Sequence, residues 1–427
     1  MGNTVISKLA SGTVLPKMYE VRQNIKTESL DGAEIEDTVK RGFARNDISQ
    51  RIHPGMRIAV TCGSRGVANI VVILRTIVHE LKKRGAQPFV FPAMGSHGGA
   101  TAEGQRDILA SYRVTEEIIG CPVHSSMEVK QIGTSDDGTP IYIDKMAAES
   151  DGIIVVGRIK PHTAFRGKYE SGLMKMMVIG MGKQNGAEIC HLDGFGKMAE
   201  RIESFGQVIL KNAPVICGVG TVENAKEQTW RIAVLNPQEI IEKEPVYLEK
   251  ARSLMPRIPF PEVDVLIVDQ IGKDISGDGM DPNITGTFCS PYARGGIHAE
   301  HVAVLDLTDA SHGCAIGVGM ADFITRRLFD KINLEATYPN AITSKMVVQA
   351  KIPMILENDR EAIQIALKTC CGIERRNPRI VRVHDTLHLE TMWISEALME
   401  SAAHTDNIQV INGPFAFPFD YEGNLMQ

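Results

Sequence analysis

A strand–helix–strand unit near the start of the chain constrains the fold most. The strand predicted for residues 57–63, RIAVTCG, is followed by a helix over residues 69–83 and a second strand over residues 88–95. The helix has apolar residues at the 3.6-residue period and ends on Lys-Lys-Arg-Gly, a typical helix C-terminus. Two strands joined by a crossover helix run parallel in one sheet. The sequence therefore predicts an α/β fold with a mainly parallel sheet.

The charged, proline-bearing segment KARSLMPRIPFPEV interrupts this alternation of strands and helices. A second α/β run begins behind it with the apolar strand VDVLIVDQIG at residues 263–272. Beyond roughly 250–300 residues a single core splits into domains, so a chain of 427 residues should form two. We therefore predict an N-terminal domain (1–255) and a C-terminal domain (256–427) with a hinge near 253–262. Each domain should contain a mainly parallel sheet flanked by helices, with the active site in the interdomain cleft.

The composition excludes several classes of protein. The net charge is −6, and no run of Lys and Arg interleaved with aromatic residues occurs, so we expect no nucleic-acid partner. No stretch approaches the roughly 20 apolar residues that a membrane-spanning helix requires, and the N-terminus lacks the apolar region of a signal peptide. We therefore expect a cytoplasmic protein without a membrane partner. The eight cysteines form no CxxC pair, which argues against disulfides and against a thiolate zinc site.

Two glycine-rich loops follow the first two predicted strands. TCGSRG places Arg65 on a turn, where its guanidinium can bind a carboxylate or phosphate with two hydrogen bonds; the alternative is an exposed arginine in a tight turn. MGSHGGAT places His97 among glycines, where the imidazole can serve as acid or base near neutral pH; the alternative is a histidine in a polar turn. In open α/β sheets, ligands bind at this carboxyl edge of the strands.

The segment GRIKPHTAFRGKYESGLMKMMVIGMGKQNGAEICH, residues 157–191, combines reactive side chains with many glycines. His162 follows another predicted strand, Lys175 lies between Leu-Met and Met-Met, and His191 completes the set. Partial desolvation lowers the pKa of an amine and makes it a nucleophile, so Lys175 is a candidate covalent anchor. The alternatives are that Lys175 extends from a helix to solvent and that His191 pairs with Asp193.

The first strand of the predicted C-terminal domain ends in DQIGKDISGDGMDPNITG, residues 269–286. Gln270 and Lys273 in this segment can reach a ligand at the domain cleft. Its three aspartates, at positions 274, 278 and 281, are consistent with recognition of hydroxyl groups or with a cation, although the spacing is not that of an EF-hand. No GxGxxG follows the first strand, and the P-loop, HExxH and GxSxG motifs do not occur.

This set of residues resembles the nickel-pincer-dependent lactate racemase family. Members are similar in having, in this order, an arginine in the turn after an early strand, a strand-end histidine in a glycine-rich loop, a Pro-His pair followed by a lysine, a histidine sixteen residues beyond that lysine, and a QxxK pair. The corresponding residues of this chain are Arg65, His97, Pro161, His162, Lys175, His191, Gln270 and Lys273. The resemblance covers about residues 55–290.

The resemblance implies a 2-hydroxyacid racemase or epimerase, an isomerase with a pyridinium-3,5-bisthiocarboxylic acid mononucleotide that carries nickel and comes from cofactor-synthesis proteins. It implies that Lys175 forms a thioamide with this nickel-pincer nucleotide and that His191 is the nickel ligand. His97 and His162 would be the two acid/base residues, one for each face of the substrate. The substrate carboxylate would be held by Arg65, which also borders the cofactor, by Gln270 and by Lys273.

Three departures from the family limit this interpretation. Cys62 occupies the position of a family aspartate, so the partner that orients a catalytic histidine is missing or comes from elsewhere. The loop between His162 and Lys175 is three residues longer than in the lactate enzyme and contains Arg166 and Lys168. Leu-Met precedes the lysine where the lactate enzyme is more polar. The basic residues favour a second anionic group and the aspartates favour hydroxyls, so we expect an acid larger or more polar than lactate, such as a sugar acid.

Two other functions remain open. A metal-free isomerase or dehydratase could use Lys175 as a base or a Schiff-base former, in which case the lysine is unmodified in active protein. A two-domain binding protein could close on a small acid without chemistry, in which case His97 and His162 are dispensable for binding. Reactive side chains on several separate loops favour an enzyme.

Overall fold

The computed structural model describes residues 4–64 and 66–426, which form two compact units. The central unit contains Thr27–Met255. The discontinuous unit contains the described residues up to Lys26 together with those from Pro256 onward.

The strands of the described residues form three sheets. They are β1 (Met18–Gln23), β2 (Arg57–Cys62), β3 (Gln87–Pro92), β4 (Val129–Thr134), β5 (Pro140–Asp144), β6 (Gly152–Arg158), β7 (Val215–Glu223), β8 (Thr229–Leu235), β9 (Glu262–Ile271), β10 (His298–Leu307), β11 (Phe323–Thr325), β12 (Met354–Leu356), β13 (Ile380–Val383), β14 (Thr391–Ser395) and β15 (Ile408–Phe415).

The helices that accompany these strands differ widely in length. They are α1 (Val5–Ser11), α2 (Gly32–Ala44), α3 (Asn46–Ser49), α4 (Ile70–Lys83), α5 (Ala102–Ser111), α6 (Glu116–Ile119), α7 (Lys145–Ala148), α8 (Leu173–Lys175), α9 (Lys183–His191), α10 (Met198–Asn212), α11 (Pro237–Leu254), α12 (Pro282–Thr285), α13 (Arg326–Lys331), α14 (Leu334–Ser344), α15 (Asp359–Thr369) and α16 (Met399–Ala403).

The main sheet of the central unit has five strands in the order β3-β2-β6-β7-β8, all parallel except β8. The predicted strand–helix–strand unit is β2, α4 and β3. Helix α4 buries Ile73, Leu74, Ile77 and Leu81 completely, as its 3.6-residue apolar period predicts. Full burial of such a side chain contributes about 1.5–3 kcal/mol, so this face holds the helix on the sheet. A separate hairpin consists of β4 and β5.

The sheet of the discontinuous unit has eight strands in the order β12-β11-β10-β9-β13-β14-β1-β15. Its first five strands are parallel, and the last three add antiparallel pairs. The predicted α/β fold, with mainly parallel sheets flanked by helices, is confirmed.

The N-terminal segment differs from its prediction. The sequence predicts an N-terminal domain of residues 1–255, whereas Met18–Gln23 is a strand that pairs with β14 and β15 of the discontinuous unit. The physical reason is non-local: this strand completes its backbone hydrogen bonds only with partners near the other end of the chain.

The sequence also predicts helices near residues 321–332 and 392–402, but both segments begin as strands. In residues 321–332 the helix starts only at Arg326, after the short strand β11. In residues 392–402 the helix starts only at Met399, after β14. The segments Phe-Ile-Thr and Thr-Met-Trp-Ile-Ser are rich in β-branched and aromatic residues, which pack well on a pleated surface. Among the described residues, no helix is both long and apolar enough to cross a membrane.

Candidate active site

Three neighbouring strands of the central sheet, β3, β2 and β6, end at the loops that carry predicted site residues. His97 follows β3, the turn from Gly63 follows β2, and His162 follows β6. Because these strands are parallel, their carboxyl ends meet at one edge, where α/β proteins bind ligands. Arg65, predicted to hold a carboxylate, lies outside the residues that the structure describes.

The segment that carries Lys175 lies against these loops. The Gly95 N–H donates to Gly180 O at 3.2 Å. A Cβ added to Gly63 would lie 3.0 Å from Met176 Cε. The residues that follow Lys175 therefore contact both the β3 and the β2 loop.

Lys175 ends helix α8, which continues directly into one turn of π-helix, Met176–Gly180. Leu173, Met174 and Met177 are completely buried, whereas Lys175 is half-buried. This agrees with the prediction of a lysine flanked by apolar residues and partly desolvated. π-Helical turns are rare and occur often at functional sites.

Glu244 of α11 is buried beneath the Lys175 segment. Its Oε2 accepts the Met174 N–H at 3.0 Å, at the start of α8. Burial raises the pKa of this carboxyl to about 8. A Cβ on Gly172 would lie 2.0 Å from Glu244 Oε1, so the carboxyl group occupies the space that a side chain at position 172 would take.

Lys175 and His162 form the closest contact between predicted site residues. Lys175 Nζ lies 2.9 Å from His162 Nε2. The Ala164 N–H donates to His162 Nδ1 at 3.0 Å, and the Phe165 ring lies 4.4 Å from the imidazole between centroids. An amine and an imidazole in this arrangement can share or transfer a proton and can serve nucleophilic chemistry.

The loop between His162 and Lys175 is organised by Glu170, whose side chain is completely buried. Its Oε2 accepts the His162 N–H at 2.7 Å, and its Oε1 pairs with Arg252 at 2.9 Å. Arg166 donates to His162 O and lies 3.5 Å from Glu170. Glu170 therefore holds the backbone of a predicted acid/base residue, a role that was not predicted from the sequence.

The basic residues of this loop bind groups of the protein itself. Arg166 contacts the loop backbone, and Lys168 pairs with Glu203 at 2.8 Å on the surface. The prediction that these two side chains favour a second anionic group of the substrate therefore has no support in these contacts.

His191 is the last residue of α9 and is half-buried. Its ring packs edge-on against Phe195 at 5.3 Å between centroids, and Phe195 lies 6.1 Å from the ring of His162. Phe195 thus connects the two histidines in one aromatic cluster. Asp193, the alternative partner considered for His191, forms an ion pair with Arg201.

The His97 loop is held from behind by a buried polar network. Gln105 donates to Gly95 O at 2.8 Å and to His97 O at 3.3 Å. The Lys183 Nζ donates to Gln105 Oε1 at 3.3 Å and pairs with Asp144 at 3.2 Å. This support was not predicted from the sequence. A lysine directly after the glycines of GMGKQ was the available signal.

In the discontinuous unit, Gln270 lies near the end of β9 and Lys273 in the following turn. The Lys273 Nζ donates to Gly277 O at 2.9 Å, and Lys273 N–H donates to Ser311 Oγ at 2.8 Å. Both residues are half-buried. The structure places them at the carboxyl edge of this sheet.

The three aspartates after β9 have structural partners. Asp274 accepts from Thr308 Oγ1 at 2.6 Å, Asp278 accepts from Gln349 at 2.9 Å, and Asp281 caps α12. These contacts stabilise the turn, so they do not support the prediction that the aspartates recognise hydroxyl groups or a cation.

A histidine–aspartate pair that the sequence analysis did not single out follows β13, the neighbour of β9. His388 Nδ1 lies 2.8 Å from Asp385 Oδ2, and Asp385 Oδ1 accepts two backbone N–H groups. The Gln270 N–H donates to His384 O at 2.9 Å, which ties the ends of the two strands together. The HDTLH motif directly after a predicted strand was the signal.

Cys62 does not replace the family aspartate electrostatically. Its thiol is buried, and desolvation raises its pKa to about 12, so it stays neutral. All eight cysteines are free thiols. In the described part of the chain, one group of three metal-capable residues occurs, Glu300, His301 and Cys370, with ligand atoms within 4.8 Å of one another. Cys370 donates there to backbone carbonyl groups and Glu300 accepts from a backbone N–H, so protein groups already engage both.

The fold and the site define an α/β protein of two units with a lysine–histidine pair at the carboxyl ends of parallel strands. Residues 10–201 match the family model of the lactate racemase N-terminal domain. This part of the chain is therefore lactate racemase-like, which confirms the resemblance seen in its motifs. This similarity supports a racemase-type isomerase activity in general.

The structure is similar to that of the lactate racemase apoprotein from Thermoanaerobacterium thermosaccharolyticum. The match has a TM-score of 0.50 and 14% identity, and it covers 86% of this chain and 93% of that one. At this identity the likeness establishes a shared fold. A comparison with curated proteins found no match.

Proposed function

We propose that the protein is a racemase or epimerase that inverts C2 of a 2-hydroxy acid, with its reactive groups on the central unit. The observation that carries the proposal is the 2.9 Å contact between Lys175 Nζ and His162 Nε2. It occurs in a segment that matches the lactate racemase N-terminal domain.

The side chains present fit a lysine-anchored nickel-pincer nucleotide. Lys175 is a half-buried amine beside an imidazole, which suits covalent attachment. His191 belongs to the same aromatic cluster as His162, and an imidazole is a good ligand for nickel. We therefore assign the anchor to Lys175 and the metal ligand to His191. When bound, this cofactor accepts and returns a hydride.

The protein's own contribution is proton transfer and orientation. Inversion at a carbon that carries a hydroxyl group requires that the hydroxyl proton be removed and returned on either face of the substrate. His97 and His162 come from different strand ends, and we assign one of them to each face. Glu170 holds the backbone of His162, and Gln105 holds that of His97.

Recognition of the substrate carboxylate is assigned to Arg65, Gln270 and Lys273. The substrate class is a 2-hydroxy acid, and we favour one larger or more polar than lactate, such as a sugar acid. The His384, Asp385 and His388 side chains at the edge shared with Gln270 offer polar groups for such a substrate.

The test is mass spectrometry of protein produced together with cofactor-synthesis proteins and nickel. We expect an adduct on the peptide that carries Lys175, together with bound nickel and racemisation of at least one 2-hydroxy acid from a panel of lactate and sugar acids. The His191→Ala variant should keep the adduct and lose nickel. The Lys168→Arg variant, which changes a surface lysine of the same loop, is the matched control.

The same contact also suits a metal-free isomerase or dehydratase in which Lys175 acts as a base or a Schiff-base former. Activity of protein with an unmodified Lys175 and no nickel would select this alternative. Racemisation of lactate alone would refute the preference for a larger acid. Binding of hydroxy acids unaffected by the His97→Ala and His162→Ala changes, without turnover, would indicate a binding protein.

A further inference from the structure

We propose that His162 keeps the side chain of Lys175 in its neutral amine form before the lysine reacts. The inference rests on two contacts of the His162 imidazole: the Ala164 N–H donates to Nδ1 at 3.0 Å, and the Lys175 Nζ lies 2.9 Å from Nε2. The inference rests on the proposed function for its purpose, because an amine must be neutral to become a covalent anchor.

The contact at Nδ1 selects one form of the imidazole. A backbone N–H can only donate, so Nδ1 of His162 accepts and carries no proton. A neutral imidazole has one N–H group, which must then be at Nε2. An imidazolium has protons on both nitrogens and would meet the Ala164 N–H with a second donor. His162 is therefore neutral, with its proton on the nitrogen that faces Lys175.

The contact at Nε2 then determines the state of the lysine. The Nε2–H group of His162 requires an acceptor, and a neutral amine offers a lone pair, whereas an ammonium group has only donors. Protonation of Lys175 would place two donors 2.9 Å apart or would drive the imidazole proton to Nδ1, against the Ala164 N–H. Either change removes a favourable hydrogen bond, so the pair favours the neutral amine.

The surroundings keep the ring of His162 in this orientation. Phe165 packs against it at 4.4 Å between centroids, and Glu170 accepts its backbone N–H at 2.7 Å. A flip of the ring would place carbon atoms at the positions of the two nitrogens and would break both contacts. Glu170 is a charged group of this loop, and its carboxylate forms ion pairs with Arg166 and Arg252.

A further carboxyl group lies against the backbone of helix α8, which ends at Lys175. Glu244 accepts the Met174 N–H, and burial raises its pKa to about 8, so it is largely uncharged at neutral pH. This carboxyl therefore contributes little negative charge that would favour an ammonium at Lys175.

The first test is nitrogen NMR of the cofactor-free protein with isotope-labelled histidine. We expect His162 to be neutral at pH 7 with its proton on Nε2. Observation of the Nδ1–H form or of an imidazolium at this pH would overturn the inference.

The second test is competitive acetylation of the same protein by acetic anhydride, with each lysine quantified by peptide mass spectrometry as a function of pH. The midpoint of the pH profile reports the protonation of a lysine independently of its accessibility. The exposed Lys351 is the internal reference. We expect the Lys175 midpoint to lie at least about one pH unit below that of Lys351, which is a tenfold larger neutral fraction.

Two variants separate the hydrogen bond from burial. His162→Phe keeps a ring in the aromatic cluster but has no donor, and His162→Gln keeps an amide donor near the position of Nε2. We expect the Lys175 midpoint to rise in the phenylalanine variant and to stay low in the glutamine variant. Equal midpoints in the native protein and the phenylalanine variant would overturn the inference. If a variant does not fold, as judged by circular dichroism, the NMR measurement on the native protein decides.

The failure of this inference and of the proposed function can be distinguished. A low Lys175 midpoint without a cofactor adduct in co-produced protein would leave the inference standing and refute the nickel function. An adduct with an ordinary midpoint would do the opposite.

Discussion

Lys183 and Asp144 form an ion pair with 3.2 Å between Nζ and Oδ2, and both side chains are completely buried. Burial raises the pKa of the Asp144 carboxyl and lowers that of the Lys183 amine, while each charge opposes the shift of the other. Lys183 also bonds to Gln105, which holds the His97 loop. Removal of either charge therefore leaves the other without compensation behind a predicted acid/base residue.

We predict that Lys183→Met lowers the free energy of unfolding by about 3–5 kcal/mol, because it leaves a buried carboxylate without its cation. The double variant Lys183→Met, Asp144→Asn should recover part of this loss. Urea unfolding followed by circular dichroism measures both. The control is Lys145→Met, which removes an exposed lysine paired with Glu128. A loss for Lys183→Met no larger than that of the control would contradict the prediction.

Glu244 should make stability depend on pH. Its pKa is raised from 4.5 to about 8 in the folded protein, so the folded state holds a proton that the unfolded state releases. The wild-type protein should therefore lose stability relative to Glu244→Gln as pH rises from about 4.5 to about 8, by at most about 1.4 kcal/mol per pH unit. Denaturant unfolding at several pH values measures this difference. The same substitution at the exposed Glu242 of this helix should leave the pH profile unchanged.

The loop before Lys175 should depend on its buried carboxylate and not on its surface ion pair. Glu170→Ala should cost roughly 3 kcal/mol, since it removes a buried acceptor of the His162 N–H and the partner of Arg252. Glu203→Ala, which breaks the exposed pair with Lys168, should cost about 0–1 kcal/mol. Thermal unfolding of the two variants measures these losses of stability. Equal losses would contradict the prediction that Glu170 stabilises the loop.

Adjacent cysteines should react very differently. Cys371 is exposed, whereas Cys370 is buried and desolvation raises its pKa to about 12. Only a thiolate reacts with iodoacetamide, so the native protein near pH 8 should be alkylated at Cys371 and spared at Cys370. In urea both should react. Peptide mass spectrometry measures the alkylated fraction of each cysteine. Comparable alkylation of Cys370 and Cys371 in the native protein would contradict the prediction and would show that the segment around Cys370 opens to solvent.

Local patterns predicted the elements whose packing is local. The 3.6-residue period of α4 and the apolar run of β2 indicated their structures and the edge that carries His97 and His162. The same reasoning missed β1, whose partners lie hundreds of residues away, and it extended helices over β11 and β14.

The candidate site shows the same limit. Lys175 and His162 were predicted from their residue types and neighbours, and the structure brings them within hydrogen-bonding distance. Their supports were not predicted, because Glu170, Glu244 and Gln105 act through buried contacts with backbone groups that no spacing rule encodes. The end of β6 positions His162 and helix α8 positions Lys175, but side chains from other elements hold both residues in place.

The position of β1 between β14 and β15 makes the central unit an insertion within the other unit. During synthesis, all residues of the central unit, Thr27–Met255, leave the ribosome before β14 and β15 have been made. The central unit can therefore fold while β1 is still unpaired. The eight-stranded sheet is completed only after β14 and β15 have left the ribosome. A fragment that starts at Pro256 lacks the strand that joins β14 to β15, so the discontinuous unit cannot be isolated by a single cut.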